Sequence, residues 1–199
     1  MTAVLEIAST LMRSKCHQND HTIIFVLFDL EENGCYGSLE FIRKFLKPFF
    51  IDKGLDLQGA FILDTILNFN PDDNSQIMPE KWEYIIPETA RSIQANGKRG
   101  DFIGLVNRGS PRERILTETF NKFHRLLNQD EFRTETFELR QLPSGDKMAS
   151  LQELYNHTFF WRSDNSRFWY YADDTDGFLS VPAILVTDTG TCVRMTSIY

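Results

Sequence analysis

Apolar residues along the chain alternate between two spacings, and each change of spacing marks a new element. Val4, Leu5, Ala8, Leu11 and Met12 recur at helical spacing and predict an amphipathic helix over residues 2–14. Residues 22–29 (TIIFVLFD) are rich in Ile, Val and Phe and too short for a typical helix, so they read as a strand buried on both faces. Phe41, Ile42, Phe45 and Leu46 share one face of a helix over 38–50, with Pro48 near its end. GAFILD (59–64) is a second short apolar strand. PDDNSQIMPEK (71–81) is polar and turn-forming, a surface excursion.

Beyond it, residues 86–94 read as a helix, NGKRG (96–100) as a turn and DFIGLVN (101–107) as a third strand. Pro111, suited to a first turn, opens a helix through Phe120, Phe123 and Leu126. FRTETFELR (132–140) is mostly polar and fits an exposed edge strand, whereas VPAILVTD (181–188) is the last buried one. Strands alternating with helices imply one α/β domain over 1–199, three-layer α/β/α with a mostly parallel mixed sheet.

Composition changes this picture little. Apolar residues are 42% and charged residues 25%, ordinary for a globular chain. The longest apolar runs fall far short of the ~20 residues of a bilayer helix. A formal charge of −7 with no basic stripe argues against nucleic acid as a partner. Cys16, Cys35 and Cys192 are far apart with no CxxC pair, so neither a disulfide framework nor a structural zinc knuckle is indicated. MTAVLEIASTLMRSK lacks the pattern of a secretory signal. GxSxG, GxGxxG and GxxxxGK are all absent.

The candidate chemistry is acidic. In open α/β sheets, loops beyond the carboxyl ends of the strands carry functional side chains on a rigid scaffold. Glu31 and Glu32 end the first strand, Asp64 the second and Asp188 the last, so four carboxylates are expected at one rim. Adjacent residues project differently, which lets Glu31 and Glu32 serve different partners. With Ser38 as a ready N-cap, the two glutamates are not needed for capping. Cys35 nearby reads as a packing thiol, because carboxylates disfavour its thiolate.

FVLFDLEENGCYGSLEF resembles the paired-glutamate signature of the M28 zinc aminopeptidases. GAFILDT resembles their strand ending in a metal-binding aspartate, FFWRSDNSRFW their SDHxxFW segment, VPAILVTDTG the strand before their last ligand, and TAVLEIASTLM the helix after their DNASG turn. The resemblance implies a zinc-exopeptidase-like fold and removal of residues from peptides with a free N-terminus. It assigns Glu31 as the general base, Glu32 and Asp64 as ligands of one zinc each in a two-zinc centre, and Asp164, Asn165 and Phe168 to the substrate pocket, with Trp169 and Tyr170 as further candidate walls.

Asn165 stands where the family has histidine, the bridging aspartate and first histidine would precede residue 1, and the last histidine would follow Tyr199. The resemblance therefore implies a catalytic domain truncated at both ends, with one ligand per metal where a catalytic zinc takes three. Of the histidines, His17 and His21 in HQNDH lie at the far end of the first strand, roughly 26 Å from Glu31 by strand rise. His124 reads as structural, which leaves His157 as the one substitute ligand. Two alternatives stand beside the peptidase: a noncatalytic binding module, as in transferrin-receptor ectodomains, and a single-zinc enzyme of the glutaminyl-cyclase type.

Overall fold

The computed structural model describes residues 2–14, 20–127, 132–173 and 177–188. His17 and the chain after 188 lie outside that range, so HQNDH as a unit is not described. In chain order the elements are α1 (Thr2–Arg13), α2 (Tyr36–Phe41), α3 (Lys47–Phe49), β1 (Ala60–Leu63), α4 (Trp82–Ile85), α5 (Pro87–Ala95), β2 (Phe102–Asn107) and α6 (Pro111–Leu127). They continue with β3 (Arg133–Glu138), α7 (Leu151–Asn156), α8 (Asn165–Trp169), β4 (Tyr171–Asp173), β5 (Gly177–Leu179) and β6 (Ala183–Thr187).

The main sheet runs β1-β6-β2-β3. β1 and β6 are parallel, β2 and β3 are parallel, and β6 meets β2 antiparallel, which makes the sheet mixed and mostly parallel as expected. Side chains alternate between its faces with period two. Leu105, Ile184 and Val186 point to one face, where Leu116 and Phe120 of α6 cover them. Ile62, Phe102, Val106, Phe137 and Leu185 point to the other and pack with residues of α2, α4, α5 and α8. Helices on both faces make the three layers. Each fully buried side chain such as Leu105 or Ile184 contributes about 1.5–3 kcal/mol by leaving water.

β3 is the edge strand the sequence suggests, and its edge is blunted. Arg133 and Leu139 donate their amides to Asp101 and Asn107, so odd positions face β2 and even ones face outward. The outward carbonyls of Thr136 and Glu138 accept hydrogen bonds from the Thr89 hydroxyl and the Arg140 amide. A would-be partner strand finds those acceptors taken.

Residues 22–29 depart from expectation. They join no ladder among the described residues, and Ile23, Ile24, Phe25 and Leu27 are exposed rather than buried on both faces. Only Phe28 reaches the core, packing on Phe41 and Phe168 at centroid distances of 5.5 and 6.1 Å. An apolar run becomes a strand only beside a neighbour that takes its amides and carbonyls, and no described segment does so here. In the same way α1 forms where predicted but fully buries none of its side chains.

Further details are local. The helix expected over 38–50 starts at Tyr36 and passes through a π-helical turn at Ile42–Leu46. Ser38 therefore lies inside it, donating its hydroxyl to the Cys35 carbonyl at 3.1 Å, and is no N-cap. The helix expected over 86–94 is present as Pro87–Ala95, and the short helix Trp82–Ile85 before it is separated at Ile86, because the residue before a proline is pushed out of the helical region. The excursion expected over 71–81 lies mostly at the surface, with Gln76 alone buried, and it is tied down, since Asn70 bridges Gly100, and Asn74 and Gln76 donate to Gly97 and Lys98 at 2.8 Å each. Among the described residues no helix is long and apolar enough to cross a membrane.

Candidate active site

The paired glutamates sit on a turn that the glycines make possible. Asn33 and Tyr36 donate to the Leu30 carbonyl, and Gly34 and Cys35 donate to that of Glu31 at 3.0 and 2.9 Å. Gly34 takes φ +97°, a conformation L side chains rarely adopt. Gly37 serves by absence of bulk. Its amide donates to the Asp29 carbonyl at 3.0 Å, and a Cβ there would collide with that carbonyl oxygen and stand 2.7 Å from the Asp29 nitrogen. Arg167 closes the turn from α8, donating to the Gly34 carbonyl at 2.6 Å.

Asp64 arrives from a different part of the chain. β1 and β6 are parallel, so their carboxyl ends share one rim, and the Asp64 amide extends the ladder by donating to the Val186 carbonyl at 3.1 Å. Thr65 and Thr187 hydroxyls meet at 2.9 Å beside it. Glu31, Glu32 and Asp64 line one pocket of ≈ 570 Å³, which also touches Cys35, Arg162 and Arg167. Asp188 reaches the same pocket, but its carboxylate accepts from the Asn68 amide and side chain at 2.7 and 3.2 Å. That tie makes Asp188 a brace for the loop after β1.

The crowding of carboxylates shows in their acidities. Burial, and then the charges of Asp64, Glu32 and Asp164, push the Glu31 carboxyl up to about 7, with Arg162 pulling the other way. Asp164 is raised chiefly by burial, against the hydrogen bond from Ser38. Cys35 is a buried free cysteine pushed up to about 11 by burial and by Asp164 and Glu31, an inert packing thiol.

The remaining expected site residues fall in different places. Asp164 sits buried behind the rim within electrostatic reach of Glu31 and Asp64. Asn165 is fully enclosed and donates to the Phe160 carbonyl at 3.1 Å. Phe168 is core, packed on Phe28 and Phe41. Trp169 and Tyr170 are core as well, with the Trp169 indole donating to Ala183 at 2.8 Å. From that segment the pocket takes Trp161, Arg162, Ser163, Ser166 and Arg167 instead. Its inner walls, Gln76, Trp82, Phe102, Phe137 and Phe160, were no part of the sequence-based site. No motif marks them, because they meet only through sheet pairing and helix packing.

His157 supplies no substitute ligand. It is buried, with Nδ1 against the Glu153 carbonyl at 2.7 Å and Nε2 against Gln141 at 3.3 Å. His124 stacks on Phe120 within α6. Among the described residues no three His, Cys, Asp or Glu side chains group closely enough to hold a metal ion. A catalytic zinc takes three protein ligands, so the described residues alone do not fit a complete zinc centre.

The family model described as Peptidase family M28 matches residues 1–111, more than half of the 199. That span carries α1, the Glu31-Glu32 turn, Asp64 and β2. No curated protein and no solved structure matches the chain.

Proposed function

The chain belongs to peptidase family M28, and from that premise we propose that its pocket cleaves peptides, releasing residues from a free N-terminus. The observation that carries the proposal is the delivery of Glu31, Glu32 and Asp64, from two separate segments, to one pocket. Glu31 acts as the general base, taking a proton from the attacking water and passing it to the leaving amine. Its acidity near 7 suits that work at neutral pH. The carboxylates of Glu32 and Asp64 at the pocket rim attract the substrate's ammonium group and so favour peptides with an unblocked N-terminus. Zinc dependence of the family's general kind belongs to the same proposal, with Glu32 and Asp64 as the residues offering oxygen ligands. The described residues do not complete that centre.

A second reading, a noncatalytic peptide-binding module, is favoured by that incomplete ligand set and by the enclosed Asn165. One experiment separates them. Peptides with free and acetylated N-termini are mixed with the chain in excess zinc, and binding and cleavage are followed together, wild type beside Glu31→Gln. The peptidase reading expects release of the first residue from free peptides only, reduced about 10²–10⁴-fold in Glu31→Gln, the contribution of a positioned base. Binding of free peptides without release supports the module. Equal release from acetylated peptides overturns the N-terminal specificity, and binding of neither peptide overturns both readings.

A further inference from the structure

The charges around the pocket are not all of one sign. Two arginines, Arg162 and Arg167, line it together with Glu31, Glu32, Asp64 and Asp188. Two of these six charges are already committed, Arg167 to the Gly34 carbonyl at 2.6 Å and Asp188 to Asn68. Arg162 differs from Arg167. It is exposed, and among the described residues its guanidinium has no ion-pair or hydrogen-bond partner. Glu32 is exposed as well, and Glu31 and Asp64 are partly so, which leaves these groups open to a ligand entering from solvent.

The backbone that carries Arg162 is held in place. Its carbonyl accepts from the Cys35 thiol at 3.7 Å, and Cys35 belongs to the turn that bears Glu31 and Glu32. On either side, the Trp161 indole donates to the Leu154 carbonyl at 2.7 Å and Asn165 donates to the Phe160 carbonyl at 3.1 Å. Glu32, Asp64 and Arg162 each bear on the acidity of Glu31, which places all three around one carboxyl, since such effects between solvated groups fade beyond about 8–10 Å. An extended dipeptide spans about 7 Å. One short ligand therefore reaches from the acidic rim to the arginine, in a pocket of ≈ 570 Å³.

We propose that Arg162 is a carboxylate subsite across from the acidic rim, so that the favoured substrates are short free-amine peptides with a carboxylate one or two residues from the ammonium. The ammonium settles against Glu32 and Asp64, and the carboxylate takes the open guanidinium, whose planar fork of donors matches its two oxygens. The carboxylate comes either from an acidic side chain or from the C-terminus of a dipeptide, and the same chemistry recognises both. A neutral amide at that place leaves the guanidinium to water, and a basic side chain meets it with repulsion. As a statement about substrate the inference rests on the peptidase reading, whereas the carboxylate subsite stands or falls by binding alone.

The test uses the full chain in chelator and two pairs of free-amine probes, each pair differing by one carboxylate, in calorimetric or ligand-observed NMR titrations. Leucylglycine beside leucylglycinamide reads the C-terminal source, and leucyl-aspartate amide beside leucyl-asparagine amide reads the side-chain source. The carboxylate member of at least one pair is expected to bind about five- to tenfold more tightly, and the pair that shows it identifies the source. Arg162→Gln should bring that preference toward unity, and Arg162→Lys, which keeps the charge without the fork, should retain part of it. If Arg162→Gln fails to fold, as judged by circular dichroism, a reduced preference in Arg162→Lys decides alone. Equal binding within both pairs, binding of none of the four, or an unchanged preference in the variant that decides overturns the proposal. A carboxylate preference beside peptides left uncleaved in excess zinc removes the peptidase reading and leaves the subsite standing, and cleavage without the preference does the reverse.

Discussion

Arg108 and Glu113 form an ion pair sealed in the interior, with side-chain exposures of 2% and 0%. Glu113 accepts from the Arg108 backbone at 2.7 Å and from its Nε at 2.9 Å. The guanidinium also donates to the Trp169 carbonyl at 3.2 Å and the Ser180 hydroxyl at 2.9 Å, and lies over the rings of Trp169 and Tyr170. One charged group thus joins the end of β2, the start of α6 and the segment behind the candidate site. Removing its partner alone strands a buried charge. Glu113→Ala is expected to cost about 3–5 kcal/mol in urea unfolding. A paired Arg108→Met/Glu113→Leu variant should lose far less, and equal losses in the two would discount the pair.

Gly37 makes a separate demand on the Glu31-Glu32 turn. A methyl at this position must displace the Asp29 backbone, and the turn bearing both glutamates shifts with it. Overpacking of this kind costs about 1–3 kcal/mol. Gly37→Ala should therefore melt earlier and lose affinity for free-amine peptides, whereas Gly54→Ala, with open space at its Cβ but a positive φ, should lose stability without affinity. Equal peptide binding by Gly37→Ala and wild type would show that the turn does not position the site.

The acidity of Glu31 makes stability depend on pH with a definite sign. Burial and neighbouring carboxylates raise it from an ordinary 4.5 to about 7, so between those values the folded chain holds a proton that the unfolded chain has released. Stability from this group is complete below about 4.5 and is lost as the pH climbs through 7. Glu31→Gln removes that loss. In chelator, the variant should melt higher than wild type at pH 8, and the gap should narrow toward pH 5. A gap that widens on acidification would mean that Glu31 is held ionised by a partner.

The part of this site that follows from a strand end was readable in the sequence. Asp64 closes an apolar run that forms β1, parallel to β6, and so stands at their common rim. Glu31 and Glu32 reach the same pocket from a turn whose preceding segment pairs with no described strand. Asp188 reached that rim too, but its bond to Asn68 depends on a loop conformation no spacing encodes. The misreading of 22–29 has a similar root. Its apolar pattern measures affinity for a core but carries no information on whether a neighbouring strand is there to pair with. Gln76 went unseen because a polar, turn-rich stretch reads as surface throughout until backbone bonds to residues 97–100 are known to hold it. Arg108 and Glu113, five residues apart across the start of a helix, look like two ordinary surface charges until burial is known.

Zinc affinity follows from the same distinction between segments that converge and ligands that complete a shell. Glu32 and Asp64 face one pocket, yet no third His, Cys, Asp or Glu among the described residues joins them closely enough to share an ion. Neither His124 nor His157 reaches the site, the first lying in α6 and the second tied to Glu153 and Gln141. Calorimetric titration of the chain with zinc should accordingly give only weak binding, with no site tighter than about micromolar, or −8 kcal/mol. Asp64→Asn should weaken even that and leave the melting temperature in chelator within a few degrees of wild type. Two tight zincs per chain would show instead that residues beyond the described ones close the shell around Glu32 and Asp64, and would move the balance firmly toward the peptidase.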